Sequence, residues 1–446
     1  MKKKILAGIL AATMVFGLTA CGAQEVTDAA DTAADVVADN ADTIADAANT
    51  AADVVADATS DAKDYGTGEI KVWVADAVVD FTKNQIDSFI AANPQYAGYT
   101  VTVEAVGEGD AAGNMITDVQ GGADIYAFAQ DQIARLVSAG ALETVNPDYE
   151  ADVKANNDAG SIAAATVGGQ LYAYPLTSDN GYFLYYDKSV VTDPSSLEKI
   201  VADCEAAGKK FYMDIRGGWY QTAFFFGTGC DLSYETDDQG NFTKANVNYA
   251  SDAGVVALRE MIELNSSKAF ENGSAAGEAV DYAAIVDGTW DASAVKETLG
   301  DNYACAKLPT FEGSDGKTYQ MSGFGGFKLL GVKPQEDELK LEVCDAIANY
   351  LASGDVQLAR YKEVFWGPSN IAAQGSAEVK ADEALAALGE QLAFTVPQGQ
   401  YPGDYWGRAE ALGDSVRNGE ISASSSDSDL LDILQKFQDD CISYAK

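Results

Sequence analysis

The sequence predicts an α/β fold, in which short strands alternate with helices as parallel β-α-β units. Three observations lead to this prediction. Apolar stretches with strand-like alternation recur along the first half of the chain, and segments with helical periodicity follow them. The chain has 446 residues, roughly three times a typical domain length of about 150, so two or three compact units are expected. A late strand-like segment, residues 324–331, indicates that the chain re-enters its first unit before it finishes in the second.

The individual elements follow from the spacing of apolar residues and from the residues that interrupt it. The segment 81–92, for example, is amphipathic and is stopped near Asn93 and Pro94. The predicted strands are residues 70–74, 99–105, 123–128, 171–175, 183–186 and 324–331. The predicted helices are residues 81–92, 115–119, 132–139, 200–207, 219–226, 253–264, 339–353 and 430–444.

The composition excludes several classes of function. Lys and Arg number 29 against 69 Asp and Glu, a net charge of −40, and such a surface repels nucleic acid. The sequence contains no histidine, which excludes Ser-His-Asp and Cys-His catalysis and histidine-containing metal sites. Beyond the N-terminus there is no run of about 18 apolar residues, the length that a membrane-spanning helix needs. We predict neither a metal site nor a cofactor.

The N-terminal segment has the pattern of a bacterial export signal. Three lysines at positions 2–4 precede an apolar stretch, and Leu-Thr-Ala then leads into Cys21. A cysteine in this position resembles a lipobox, in which the thiol is lipidated; an ordinary signal peptide with an incidental cysteine is the alternative. We predict a lipoprotein signal peptide over residues 1–21 and a lipid anchor at Cys21, on the extracytoplasmic face of the bacterial cell membrane. Residues 22–67, almost entirely Ala, Asp, Thr and Val, are predicted to be an acidic linker.

The other cysteines show no metal-binding or redox pattern. They lie at positions 204, 230, 305, 344 and 441, with wide spacing and no Cys-x-x-Cys. An odd number leaves at least one thiol unpaired in a monomer. Cys344 and Cys441 fall within helical apolar patterns, so buried free thiols are predicted there.

Seven short motifs occur in a fixed order over nearly all of residues 68–446. They are KVWV at 71–74, GADIYAFAQD at 122–131, LETV at 142–145, GQLYAYPL at 169–176, DGTW at 287–290, KLPTF at 307–311 and YWGR at 405–408. Their order resembles that of the extracellular solute-binding proteins of sugar ABC transporters, specifically the maltose/maltodextrin-binding group. The resemblance rests on order and spacing together with the lipobox, since each motif alone is weak.

The resemblance implies a two-lobed periplasmic-binding-protein-like fold, with three crossings between lobes and a ligand cleft between them. The crossings are expected near residues 178–182, 303–307 and 364–370. The N-terminal lobe would then comprise residues 68–177 and 307–364. The C-terminal lobe would comprise residues 183–303 and 370–446.

Sugars combine apolar C–H faces with rings of hydroxyls, so a binding site should pair aromatic planes with carboxylates or amides. Trp290 follows Asp287-Gly288-Thr289 in a turn, and Trp219 and Tyr220 open a helix after two glycines. The resemblance implies that such aromatics stack on sugar, Trp219 more than Tyr220, whereas core packing is the alternative for each. The aromatic candidates are Trp219, Tyr220, Trp290, Trp406 and Phe128, the last at a position where the resembled maltose receptor has Trp. Trp73 and Trp366 are interpreted as core or inter-lobe packing.

The polar candidates lie near strand ends and the first crossing. Gln130 and Asp131 follow a predicted strand, where ligand crevices of open α/β sheets lie. The resemblance implies that Asp131 accepts sugar hydroxyls and that Asp179 is an acidic binding position, with a hinge turn or cap as the alternative. Asp76 after the first strand and Arg408 beside Trp406 complete the set.

The leading hypothesis is a non-enzymatic receptor that captures malto-oligosaccharides by hinge closure and delivers them to the permease subunits of an ABC importer. The same architecture with a different oligosaccharide, a peptide or a metal as ligand is the main alternative, although the absent histidines disfavour a metal. A surface glycosidase with two carboxylates is a further alternative, but no paired acid motif supports it. A purely structural surface protein does not explain aromatic residues on glycine-flanked loops.

Overall fold

The computed structural model describes residues 63–445, which form two lobes, each built on a mixed β-sheet. The strands are β1 Gly68–Val74, β2 Tyr99–Ala105, β3 Ile125–Ala129, β4 Thr166–Val167, β5 Gln170–Leu171, β6 Ala173–Gly181, β7 Phe183–Asp187, β8 Lys210–Tyr212, β9 Leu232–Thr236, β10 Phe242–Val247, β11 Phe270–Glu271, β12 Tyr282–Asp287, β13 Tyr303–Ala306, β14 Thr310–Glu312, β15 Thr318–Gln320, β16 Phe324–Val332 and β17 Val396–Pro397.

The helices cover both sheets. They are α1 Val79–Ala92, α2 Glu108–Thr117, α3 Ile133–Ser138, α4 Pro147–Asn156, α5 Ala159–Ala164, α6 Leu197–Ala207, α7 Gly218–Gly227, α8 Asp252–Ser266, α9 Ala292–Leu299, α10 Glu338–Leu351, α11 Gly354–Val364, α12 Ile371–Gln374, α13 Ala377–Lys380, α14 Glu383–Gln391, α15 Gly403–Arg417 and α16 Asp427–Ser443. The predicted helices are confirmed to within a few residues, except that α2 begins seven residues earlier than predicted.

The first lobe is built on a six-stranded sheet with the order β17-β16-β3-β1-β2, and β6 pairs with the other edge of β16. Strand β1 is parallel to β2 and β3, as the β-α-β pattern predicts. Strand β16 runs antiparallel to β3 and β6, so the late strand does return to the first sheet but in the opposite direction. Val72, Ile125 and Leu329 are fully buried at the centre of this sheet, under α1 and α10.

The second lobe is built on a five-stranded sheet with the order β11-β8-β12-β7-β13. Helices α7, α8, α15 and α16 pack together beside it around an aromatic core. The rings of Phe225 and Tyr249 stack with centroids 4.1 Å apart, and Phe437 stacks on Tyr249 at 5.3 Å. Burial of each such ring stabilises the lobe by about 1.5–3 kcal/mol, and the packing fixes α7 and α15, which carry two of the candidate tryptophans.

The chain passes between the sheets at three places. The first passage is the single residue Tyr182 between β6 and β7, inside the expected segment 178–182. At the second, residues 307–322, which the sequence assigns to the first lobe, instead form the β14–β15 hairpin against the second-lobe core, because Leu308 and Phe311 bury their side chains there. The chain re-enters the first sheet only at β16.

The third passage is longer than the sequence predicts. Pro368 and Asn370 still make β-bridges to Thr177 and Asn157 of the first lobe, whereas α14 packs on the second sheet. Strand β17 then pairs with the start of β16, so the chain touches the first sheet once more before α15. The expected start of the second lobe at residue 370 therefore precedes the point where the chain leaves the first lobe.

The five cysteines in the described part of the chain are free thiols, and Cys204, Cys344 and Cys441 are completely buried. Burial raises the pKa of the Cys204 thiol to about 12, which makes it unreactive. The prediction of buried free thiols at Cys344 and Cys441 is confirmed.

The predicted signal peptide, Cys21 and nearly all of the predicted linker lie outside the described residues. Within residues 63–445, no helix combines the length and the apolar composition that crossing a membrane requires.

Candidate ligand-binding site

A cavity of about 600 Å³ lies between the two lobes. This volume is within the range of about 300–1,000 Å³ that is typical of small-molecule sites. The first lobe lines it with polar residues: Asp76, Glu108, Asp110, Asp131, Gln132 and Lys328. The second lobe lines it with Trp219, Tyr220, Trp290, Asp291 and Trp406, and the crossing segments contribute Asn180, Trp366 and Gln398. The second-lobe wall therefore carries three tryptophans, whereas the first-lobe wall carries four carboxylates and one lysine.

The aromatic wall is assembled from three separate segments of the second lobe. Trp219 lies in the first turn of α7, Trp290 follows β12, and Trp406 lies in the first turn of α15. The rings of Trp219 and Trp290 are 5.8 Å apart at 45°, and both are only half-buried. Trp219 is supported from behind by Tyr220 and Tyr182, whose rings lie 5.1 and 4.7 Å from it.

Two glycines allow this wall to form. A Cβ on Gly218 would lie 2.4 Å from Cβ of Ala409, so only glycine lets α7, which carries Trp219, approach α15, which carries Trp406, this closely. A Cβ on Gly288 would lie 2.1 Å from the ring of Trp290, so only glycine lets this ring fold back over its own turn. The glycine-flanked positions singled out in the sequence thus have a steric reason.

The carboxylates of the first lobe follow the carboxyl ends of its parallel strands. Asp76 follows β1, Glu108 and Asp110 follow β2, and Asp131 follows β3. Since β1, β2 and β3 run parallel, their carboxyl ends meet at the edge of the sheet that faces the cavity. Ionised carboxylates accept hydrogen bonds but donate none, so this edge is suited to a ligand rich in hydroxyl donors.

Asp131 is the most deeply buried of these carboxylates, with 1% of its surface exposed. Burial raises the pKa of Asp131 to about 7, although the nearby Arg135 guanidinium and a hydrogen bond from Gln132 oppose the rise. Arg135 in turn donates to the Gln132 side-chain oxygen at 2.7 Å. Asp131 therefore changes its charge near neutral pH.

Six of the ten candidate residues line the cavity: Trp219, Tyr220, Trp290, Trp406, Asp131 and Asp76. Phe128 does not, because it points into the first-lobe core and is fully buried against Tyr126. Gln130 is also buried and donates to the Gln398 carbonyl. The placement of Phe128 corresponds to the core-packing alternative.

Asp179 and Arg408 also lie outside the cavity lining. Asp179 is buried at the first crossing, where it accepts hydrogen bonds from the Thr289 hydroxyl at 2.5 Å and from the Gly367 amide. It thereby ties the first crossing to the β12 turn and to the third crossing, the hinge role that the sequence left as the alternative. Arg408 donates to Asp440 at 2.6 Å and lies over the Phe437 ring, so it joins α15 to α16.

Trp73 and Trp366 differ in position. Trp73 lies away from the cavity and donates to Glu104 at 2.9 Å. Trp366 packs on the first-lobe core, as predicted, but one side of it also lines the cavity.

A family model described as bacterial extracellular solute-binding protein matches residues 76–387, well over half of the chain. The chain belongs to this family. The match spans both lobes and all the described cavity residues except Ala75, Gln398 and Trp406.

Relatives of this solute-binding protein carry oligosaccharide-related names. A maltooligosaccharide ABC transporter solute-binding lipoprotein of Streptococcus pneumoniae serotype 4 is 27% identical over 359 residues, which cover 75% of this chain and 80% of the relative. A galactooligosaccharide-binding protein of Bacillus subtilis is 26% identical over 402 residues, covering 81% of this chain and 88% of the relative.

Solved structures share the two-lobed fold. A chain in complex with acarbose has a TM-score of 0.74 and 27% identity, covering 85% of this chain and all of the other. The maltose/maltodextrin-binding domain of Bdellovibrio bacteriovorus, bound to maltotriose, has a TM-score of 0.69 and 17% identity, covering 84% of this chain and all of the other. At 17% identity the second likeness concerns the fold alone.

Sequence reasoning did not single out seven polar residues of this solute-binding protein's cavity: Glu108, Asp110, Gln132, Asn180, Asp291, Lys328 and Gln398. Glu108 and Asp110 come directly after a predicted strand, which is the signal that did identify Asp131. Lys328 is a charged residue within an otherwise apolar strand, FGGFKLLGV, and that anomaly could have identified it.

Proposed function

We propose that this solute-binding protein is the lipid-anchored substrate-binding component of a carbohydrate ABC importer and captures malto-oligosaccharides. The observation that carries the proposal is a wall of three tryptophans facing a row of carboxylates across one inter-lobe cavity. Indole planes match the C–H faces of pyranose rings, and carboxylates match their hydroxyls. Three separate rings suit several sugar units, and the name of the S. pneumoniae relative supports malto-oligosaccharides.

The capture mechanism follows from the division of the site between lobes. A sugar contacts both lobes at once if it stacks on Trp219 and Trp290 and its hydroxyls donate hydrogen bonds to Asp131 and Asp76. Such a ligand binds the closed arrangement more tightly than the open one, so it shifts the population toward closure. The permease subunits of the importer would then recognise the closed form. No bond of the sugar is broken in this scheme, and the protein is not an enzyme.

Anchoring is proposed at Cys21, on the extracytoplasmic face of the cell membrane. The lipobox-like sequence and the name of the S. pneumoniae relative, a lipoprotein, support it. A Cys21→Ser variant expressed in a bacterial host should fail to incorporate labelled palmitate and should leave the membrane fraction.

A calorimetric titration of the purified chain tests the ligand. The panel contains maltose, maltotriose, maltotetraose, a β-linked galacto-oligosaccharide and cellotriose, with tryptophan fluorescence as a second readout. We expect the α-linked series to bind with a fluorescence change. The galacto-oligosaccharide is the second candidate because of the B. subtilis relative, and binding of it alone would replace the malto-oligosaccharide assignment. Shortened products after long incubation with maltotetraose would indicate a glycosidase instead.

A further inference from the structure

Lys328 is a lysine buried in the floor of the ligand cavity. It lies in β16 among apolar residues, with 6% of its surface exposed. Burying an ammonium group is unfavourable unless other groups replace the lost water. The surroundings of its Nζ therefore show what the residue is placed to do.

The Lys328 ammonium is held mainly by aromatic rings. Nζ lies 3.6 Å from the ring centroid of Trp366 and 5.1 Å from that of Trp290, in cation–π contact with both. The nearest carboxylate oxygen is Oε1 of Glu108 at 3.8 Å, which is too long for a hydrogen bond. Within the described residues, Nζ donates no hydrogen bond, although an ammonium group has three donors.

Lys333, next to the end of the same strand, provides an internal comparison. It is almost as buried, but its Nζ donates to the carbonyls of Gln120 and Gly122 at 3.2 and 3.3 Å and pairs with Asp124 at 3.4 Å. The ammonium group of Lys333 is thus satisfied by protein groups. Lys328 is not.

Within residues 63–445, Glu108 lacks a hydrogen-bond donor, just as Lys328 lacks an acceptor. Its side chain is 12% exposed, and its Oε1 atom is buried without a hydrogen-bond partner among the described residues. An unsatisfied buried acceptor costs about 1–3 kcal/mol, more for a charged group. One hydroxyl oxygen about 2.8 Å from both atoms would accept one hydrogen bond from Nζ and donate one to Oε1. Both side chains line the cavity, so a ligand can reach this point.

We propose that Glu108 and Lys328 form a hydroxyl subsite that selects ligands carrying a sugar hydroxyl at this position. The donor and the acceptor are 3.8 Å apart and are flanked by the indoles of Trp366 and Trp290. A hydroxyl is both donor and acceptor, so it can hydrogen-bond to both members of the pair, whereas a C–H group in its place gives Glu108 Oε1 no hydrogen bond and Lys328 Nζ no acceptor. The subsite rests on the proposed function, because it presumes a carbohydrate ligand.

The test is a double comparison of residue and hydroxyl. The wild-type protein and the Lys328→Met and Glu108→Gln variants are titrated with maltotriose and with its monodeoxy analogues. Because hydrogen bonds to charged groups contribute about 1.5–3 kcal/mol, we expect Lys328→Met to bind maltotriose roughly 10- to 100-fold more weakly. One monodeoxy analogue should bind the wild type similarly weakly, yet bind Lys328→Met as well as maltotriose does. Lys328→Arg should restore part of the affinity.

Lys362→Met is the matched control. Lys362 forms an exposed ion pair with Glu378, with Nζ 3.4 Å from Oε1, and it does not line the cavity. Melting temperatures separate lost binding from lost folding, and Glu108→Gln tests the pair independently of Lys328. Suppose that the wild type binds maltotriose and that every monodeoxy analogue loses the same factor in affinity, relative to maltotriose, in the variants as in the wild type. In that case the pair is a structural ion pair and the subsite is refuted. If the wild type binds another sugar of the panel, the deoxy series of that sugar is used. If it binds none, the proposed function and the subsite fail together.

Discussion

Replacement of Asp179 by alanine should destabilise the protein strongly while leaving the ligand cavity intact. Asp179 is 2% exposed, and its carboxylate accepts hydrogen bonds from the buried Thr289 hydroxyl and from the Gly367 amide. Each donor left unsatisfied costs about 1–3 kcal/mol, so the free energy of unfolding should fall by about 2–5 kcal/mol. Arg360 also loses a nearby negative charge that opposes the lowering of its pKa to about 10 by burial.

Thermal unfolding followed by fluorescence measures the effect. For lobes of roughly 190 residues, about 2–4 °C per kcal/mol applies, and we expect the melting temperature to fall by about 4–20 °C. Asp179→Asn keeps one side-chain acceptor oxygen, so its melting temperature should fall less than that of Asp179→Ala. Asp432→Ala, an exposed aspartate in α16, is the control and should melt like the wild type.

The same variants distinguish a hinge residue from a ligand contact. Since Asp179 lies outside the cavity lining, Asp179→Ala should bind maltotriose with an affinity that changes far less than its stability. A variant that melts like the wild type but no longer binds sugar would refute this reasoning. Asp179 would then contact the ligand directly, as the family resemblance implies.

Two further predictions concern the cavity. Trp290→Ala should weaken maltotriose binding roughly 30-fold, the effect of about 2 kcal/mol for a central aromatic side chain that the ligand covers, whereas Trp73→Ala, outside the cavity, should leave the affinity measured by calorimetry unchanged. Maltotriose affinity should rise with pH through about 7, because ionised Asp131, whose pKa burial raises to about 7, is the better hydroxyl acceptor. Binding should release protons near pH 7, seen as a buffer-dependent enthalpy, and Asp131→Asn should abolish this dependence. An affinity that is flat from pH 6 to 8 in the wild type would count against a ligand contact by Asp131.

The raised pKa of Asp131 has a consequence for stability with the opposite sign. The carboxyl group ionises near its ordinary pKa when the chain is unfolded but only near 7 when it is folded. The unfolded state therefore gains more from ionisation between these values, and the contribution of Asp131 to stability declines as the pH rises from about 4 to 7.

Part of the fold was predictable because its signals are local. The alternation in β1 and the helical spacing in α8 and α16 depend on residues that are close in sequence, and each was identified to within a few residues. Short strands such as β8 and β13 were missed, since three or four residues carry too little periodicity and are strands only because β12 and β7 pair with them. Leu308 and Phe311, beside and within the β14–β15 hairpin, bury their side chains with second-lobe residues, and this contact depends on partners that are far away in the sequence.

The candidate site divides in the same way. Turn-flanked tryptophans and the carboxylate after β3 can be recognised one at a time, and these residues do line the cavity. Phe128 and Asp131 are three residues apart, but Phe128 packs in the core whereas Asp131 lines the cavity. Their local sequence does not distinguish these two positions, because the direction of each side chain depends on how the end of β3 is oriented relative to β16 and the second lobe.

The sequence by itself determined the acidic, histidine-free composition, the alternation of strands and helices, and the position of tryptophans beside glycine-containing turns. Only the tertiary structure decided that α7, the β12 turn and α15 form a single wall, and that Glu108 and Lys328, 220 positions apart in the chain, lie 3.8 Å from each other. The physical reason is that composition and periodicity act over a few residues. The contacts between charges and rings at the cavity depend on how the two sheets are joined by the crossings.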